Sequence, residues 1–329
     1  MKKLFAGVIV VLLAAAAAIA VAIPEQEVLD PFIRWVGYIP GEKTNTGIFR
    51  RALNLITGPP LAELNNPVNL YASDPQSCWI INQGDGKVVE YRDGSLATIP
   101  AFRRESAFMP SLVGICGSLP EGMLVSDSRL NSVYLVEWEG RQYRKFNGAD
   151  DLNRPTGIAY SLNNDEIWVV ETGSHRITVL DRRGVRIRVL GKRGNGPLEF
   201  NYPTYIWIDT EGKVYIVDSM NYRVQVLNSK GEFITAFGRQ GNVTGSFARP
   251  RGIATDSEGN IYIVDGLANV VQIFDISGQL LHYFGSQGQG RYQFWMPSGI
   301  FIDQNDYIYI SDSYNSRIQI FQAVKGLRK

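Results

Sequence analysis

Residues 218–228 read DSMNYRVQVLN, and residues 312–322 read DSYNSRIQIFQ, the same phrase 94 positions on. A third copy, DGLANVVQIFD at 265–275, divides that distance into two steps of 47. A fixed period of this length identifies a repeat architecture. The prolines that precede each apolar run, Pro67, Pro110, Pro155, Pro203, Pro250 and Pro297, are 43, 45, 48, 47 and 47 apart and count out six units. In the clearest units, YPTYIWIDTEGKVYIVDS, RPRGIATDSEGNIYIVDG and MPSGIFIDQNDYIYISDS, a short alternating run leads through a turn into a β-branched and aromatic run. A third run follows the D-S-x-N-x-R phrase, and a fourth, FITAFG or LLHYFG, ends in glycine. Four short strands joined by Gly, Asn and Asp turns make one antiparallel sheet, and such sheets repeated at 40–50 residues are propeller blades.

The two ends of the chain test this reading. The sixth unit stops after its third strand at Phe321, leaving only QAVKGLRK. Near the other end, FIRWVG at 32–37 matches the fourth strands in type and in its final glycine. It is expected to supply the missing outer strand of the last blade, so that the repeats at 67–322 close into a ring with no free edge. Between them, TGIFRRALNLIT places Ile48, Phe49, Ala52, Leu53 and Ile56 on one helical face. Thr46 caps its start and Gly58-Pro59-Pro60 stops it, which predicts an amphipathic helix over 46–57, on the propeller flank or over one mouth. Residues 323–329 form a tail.

The phrase P-x-G-I-A-x-D-x-x-G-x-I-Y-I-V-D-S-x-N-x-R-V-Q-V-F, carried by Pro250–Phe274 and Pro297–Phe321 and more loosely elsewhere, resembles the NHL repeat. The resemblance covers roughly residues 30–322 and implies an all-β, six-bladed β-propeller of four-stranded blades. The opening FIRWVGYIPGEKTNTGIFRRALNLITG also looks like a group of exported bacterial NHL propellers, whose members carry no established activity to transfer. Blade one departs from the pattern with Asn82 for Asp and Lys87 for Arg, and blade two has 17 residues from Pro110 to Asp127 instead of 15.

The start, MKKLFAGVIVVLLAAAAAIAVA, joins two lysines to an apolar run from Leu4 to Ile23. It is an export signal, to be cleaved after Ala22 or kept as an N-terminal apolar membrane helix over residues 4–23. Either way the rest is expected outside the cytoplasm, periplasmic or extracellular. Lys plus Arg total 33 and Asp plus Glu 32, a balance without the positive potential that nucleic-acid binding needs.

Candidate chemistry is sparse. Asp218, Asp312 and Glu171 each stand five residues before an arginine, a recurrence expected of a structural pair that holds a turn; blade five has Val270 instead. Asp209, Asp256 and Asp303 recur at 47 and are the one candidate for a calcium site in the central channel. Two of them begin D-x-x-G turns, where the side chain bonds its own backbone, and Ser73, Cys116 and Ser161 stand at the other three positions. No other cofactor is expected. His175 and His282 are too few for the histidine-rich zinc sites of metal-dependent amidating lyases, and no G-x-S-x-G occurs. GKRGNG and GSQGQG, followed by Phe200 and Phe294, read as connections between blades. Arg186 and Arg188 fall on one side of a strand and read as a charged outer edge. Cys78 and Cys116 read as small strand residues or as a disulfide between neighbouring blades.

What remains is one loop face. The turns between second and third strands and the inter-blade connections open on the same end of a propeller. Positions that the repeat leaves free there are Arg129, His175, Tyr205, Tyr222, Arg251, Trp295 and Tyr314. Arginine and aromatic residues on rigidly held loops are suited to binding. The expected function is therefore a binding or scaffold module for an extracytoplasmic protein or a glycan. The alternative is a metal-assisted lyase or hydrolase at the channel mouth.

Overall fold

A computed structural model describes residues 30–40, 63–99, 109–138, 142–146, 151–324 and 326. Six four-stranded antiparallel sheets follow one another along the chain within the unit Pro31–Lys329. Blade four is typical. Pro203–Ile208 pairs with Val214–Asp218, which pairs with Arg223–Leu227, which pairs with Phe233–Phe237. In blade six the strands Ile300–Ile302, Tyr307–Asp312 and Arg317–Ala323 are completed by Ile33–Ile39, antiparallel to the third of them. The closing strand expected at 32–37 is thus present, shifted to 33–39. The expected helices at 4–23 and 46–57 lie outside the described residues.

Blade two corrects one register. Leu112, not Pro110, pairs with Asp127 as Pro203 pairs with Asp218. The two extra residues therefore precede the first strand, and the position matching Asp209 is Ser118, not Cys116. Both cysteines are free, which corrects the disulfide alternative.

The core is divided into six apolar clusters, each made by the facing sheets of adjacent blades. That follows from strands apolar on both faces: Val214–Asp218 and Ile261–Asp265 are buried at every position. Phe200, Phe247 and Phe294 plug the wedges between successive blades and are fully buried. The glycine ending each preceding strand makes room. Gly238, at φ +109°, would bring a Cβ within 2.6 Å of the Phe247 ring.

The acid–arginine pairs are structural, as expected. Arg223 Nε lies 2.9 Å from Asp218 Oδ2, and its Nη2 donates to the carbonyls of Gly196 and Glu199. Asp218 Oδ1 accepts the Asn201 N–H, so one buried pair ties a turn to the connection entering its blade. Arg317 and Asp312 repeat this at 2.8 Å, and Arg176 and Glu171 at 2.9 Å. Without an arginine, Asp265 of blade five accepts the N–H groups of Ala248, Arg249 and Ala268. Hydroxyls in the turns between second and third strands reach the first strand of the next blade: Thr172 Oγ1 donates to Pro203 O at 2.6 Å, and Ser313 Oγ to Pro67 O at 2.7 Å.

Candidate functional site

The end of each second strand and the start of each first strand meet on one face, since Pro203 pairs with Asp218 and Pro250 with Asp265. All seven residues singled out in the sequence lie on or next to it, but they divide by role. His175 is buried, and its Nδ1 accepts the Tyr202 N–H at 3.1 Å. Asn269 makes the same link to Met296 N with its Oδ1, and Asn131 to Arg154 N, so His175 is a blade-to-blade latch. Tyr222 ends its turn in the left-handed conformation (φ 52°) and packs on the core between blades four and five. Tyr205 is buried in that same core. Arg129, Trp295 and Tyr314 are exposed and Arg251 half-buried, and these four present side chains to solvent.

Trp295 and Tyr314 meet edge to face with centroids 5.8 Å apart, and the Tyr314 N–H donates to Trp295 O. Arg251 and Arg249 are electrostatic neighbours: the Arg251 guanidinium holds the Arg249 guanidinium below its ordinary range, with partial burial adding to the effect. Tyr205 and Tyr314, from the blades on either side, act on the same group. Gly266 leaves the space beside this pair, because a Cβ there would stand 3.3 Å from Arg251 Cδ and Nε.

The sequence reading missed further members of this surface. The position two residues after the second-strand acid is Arg129, Met220, Leu267 and Tyr314 in blades two, four, five and six, and glycine in blades one and three. Tyr202, Met220, Leu267, Trp295 and Tyr314 are exposed by between 38% and 60%. Blades four to six thus carry a crescent of large apolar loop side chains around two arginines. The repeat register was the signal that marked Met220 and Leu267. Neither is an aromatic or charged type, so neither stands out as a binding residue in its own blade.

The first strands line a central cavity of about 280 Å³, with Tyr71, Trp207 and Phe301 toward the other face. Phe301 stands edge-on to both neighbours, at 5.3 Å from Tyr71 and 5.6 Å from Trp207. The three aspartates do not converge there as a ring. Asp209, Asp256 and Asp303 each hold their own turn through Oδ1 and accept, through Oδ2, the hydroxyl of a tyrosine six residues on: Tyr215, Tyr262 and Tyr309, at 2.9–3.0 Å. Among the described residues no three His, Cys, Asp or Glu side chains gather as a metal site. Cys116 touches the cavity, but burial pushes its thiol up to about 12, which suits packing and not nucleophilic attack.

Residues 155–224 and 209–272 match a family described as 6-bladed beta-propeller, and residues 294–321 match the NHL repeat. No curated protein sequence matches the chain. Among solved structures, an auxiliary nutrient binding protein from Bacteroides thetaiotaomicron is similar at TM-score 0.61 and 14% identity, over 79% of this chain and 70% of that one. A counterpart from Bacteroides ovatus gives 0.60 and 13%, over 80% and 70%. Virginiamycin B lyase from Staphylococcus aureus gives 0.56 and 15%, over 80% and 99%. At these identities the likeness is one of fold.

Proposed function

The chain is an NHL-repeat six-bladed β-propeller, and on that footing we propose that it is an extracytoplasmic protein-binding module whose contact surface is the crescent on blades four to six. The observation that carries this reading is the grouping of Tyr202, Met220, Leu267, Trp295 and Tyr314 on the loops of one half of one face. Side chains of this size are left in water together where a partner covers them. The adjacent Arg249 and Arg251 give the surface a positive centre, so the partner is a protein with an apolar contact patch and a carboxylate to meet the guanidiniums. The lysine-led apolar run at residues 4–23 supports a place beyond the cytoplasmic membrane, as a secreted or anchored protein.

A photoreactive residue at position 220, 267 or 314 in living cells tests this. The expected result is one discrete protein adduct shared by the three positions. It should be absent from position 162, where Leu162 is exposed on the opposite face, and lost when Arg251→Ala is added. The same adduct at 162, or none at any crescent position, would reject the reading.

A further inference from the structure

The repeat makes each blade a control for the others. One cross-strand pair between second and third strands is Leu124–Leu135, Trp168–Val179, Tyr215–Val226, Tyr262–Ile273 and Tyr309–Ile320 in blades two to six. In blade one it is Trp79–Glu90. A carboxylate therefore stands where every other blade has an aliphatic side chain, and it is only 4% exposed. Burying a charge is costly unless it is paired, and Glu90 is paired: Arg92 Nη2 lies 2.8 Å from its Oε1. A costly group that the fold does not require is a mark of function.

Two more departures meet at the same place. Trp79 occupies the site of the latched tyrosines, and the turn aspartate they bond is Ser73 here. The third strand of blade two runs out into Trp138, whose Nε1 donates to Leu119 O at 3.0 Å and so fixes the ring. The Trp79 and Trp138 rings lie 4.9 Å apart, and Tyr71 stacks on Trp79 at 5.8 Å. Together with Glu90, Arg92 and Glu137 these rings wall a recess of about 440 Å³ between blades one and two. It sits among the turns that join first to second and third to fourth strands, on the face away from the crescent. Its size is that of a small-molecule site.

The walls select a chemistry. Among the described residues each acid has a guanidinium partner, Arg92 for Glu90 and Arg144 for Glu137 at 3.2 Å, so these two pairs bring no net charge to attract an ion. It offers an aromatic platform for C–H faces beside strong acceptors and donors for hydroxyls. We propose that this recess binds a neutral saccharide, with Trp138 stacking on a sugar ring backed by Trp79, and Glu90 and Arg92 bonding its hydroxyls. The site is separate from the crescent and stands or falls independently of the partner reading.

Calorimetric titration of the purified full chain with maltotriose, cellotriose, mannotriose and chitotriose tests the proposal, with choline as a cationic comparator. Saturable binding of at least one trisaccharide at about 1 mM or tighter is expected. Trp138→Ala and Glu90→Leu should each weaken it at least tenfold, and Glu90→Leu, which restores the aliphatic of the other blades, should melt no lower than the parent. Three results would overturn the site: no trisaccharide saturating, choline binding in their place, or saccharide binding unchanged in both variants.

Discussion

The three aspartates that recur at 47 show how a residue can look like one thing and do another. Spacing alone suggests a ring of ligands, but Tyr262 spends its hydroxyl on Asp256, as Tyr215 and Tyr309 do on Asp209 and Asp303. Burial raises the Asp256 carboxyl above its ordinary value, while the tyrosine hydroxyl works the other way by favouring the ionised form. Tyr262→Phe is therefore expected to cost about 2 kcal/mol at pH 7, the usual loss for a buried bond to a charged group. The sign of its pH dependence follows. The bond stabilises the carboxylate, so its contribution is present above the carboxyl's folded range and lost as pH falls through it. Denaturant melts at pH 7 and pH 3.5 check this: the gap between parent and variant should narrow at the lower pH. The turn role of these aspartates was legible from D-x-x-G. The tyrosine partner was not, because two strands must pair before residues six apart can meet.

At the scale of the element, the second-to-third-strand turn does most of the joining. Arg317 is the donor that compensates Asp312, which is fully buried. Replacing it, as in Arg317→Val, leaves that carboxylate with only neutral donors and should lower stability by about 3 kcal/mol. Val270→Arg, at the matching position of blade five, should change it by less than about 1 kcal/mol, because Asp265 is already satisfied by three backbone N–H groups. Parallel urea titrations of the two variants compare them directly. The blades and most of their strand order were legible from period and turn residues. The register of blade two was not: a proline marks where a strand can begin, whereas pairing with Asp127 decides where it does. The exposure of Met220 and Leu267 was hidden for a related reason. Each is an ordinary apolar residue in its own blade and becomes part of a patch only beside its neighbours' copies.

For the molecule as a whole, closure is the decisive event. Deleting residues 33–39 removes the partner of Arg317–Ala323 and leaves that strand as an open edge. The truncated chain is expected to associate, seen as a higher mass in light scattering coupled to gel filtration. A synthetic peptide of the sequence IRWVGYI should return it to the elution position of the intact chain. Ring closure was readable in advance because the last repeat was visibly one strand short. The closing strand also fixes a timetable. Residues 33–39, which lock the last blade, are made before any of the other blade strands, and their partner at 317–323 is made after the strands of five blades. During synthesis the strand at 33–39 has to stay unclaimed while the sequence of five blades is made behind it. Pairing between segments so far apart in sequence is intrinsically slow, so the ring stays unlocked, with an open edge, until 33–39 and 317–323 meet.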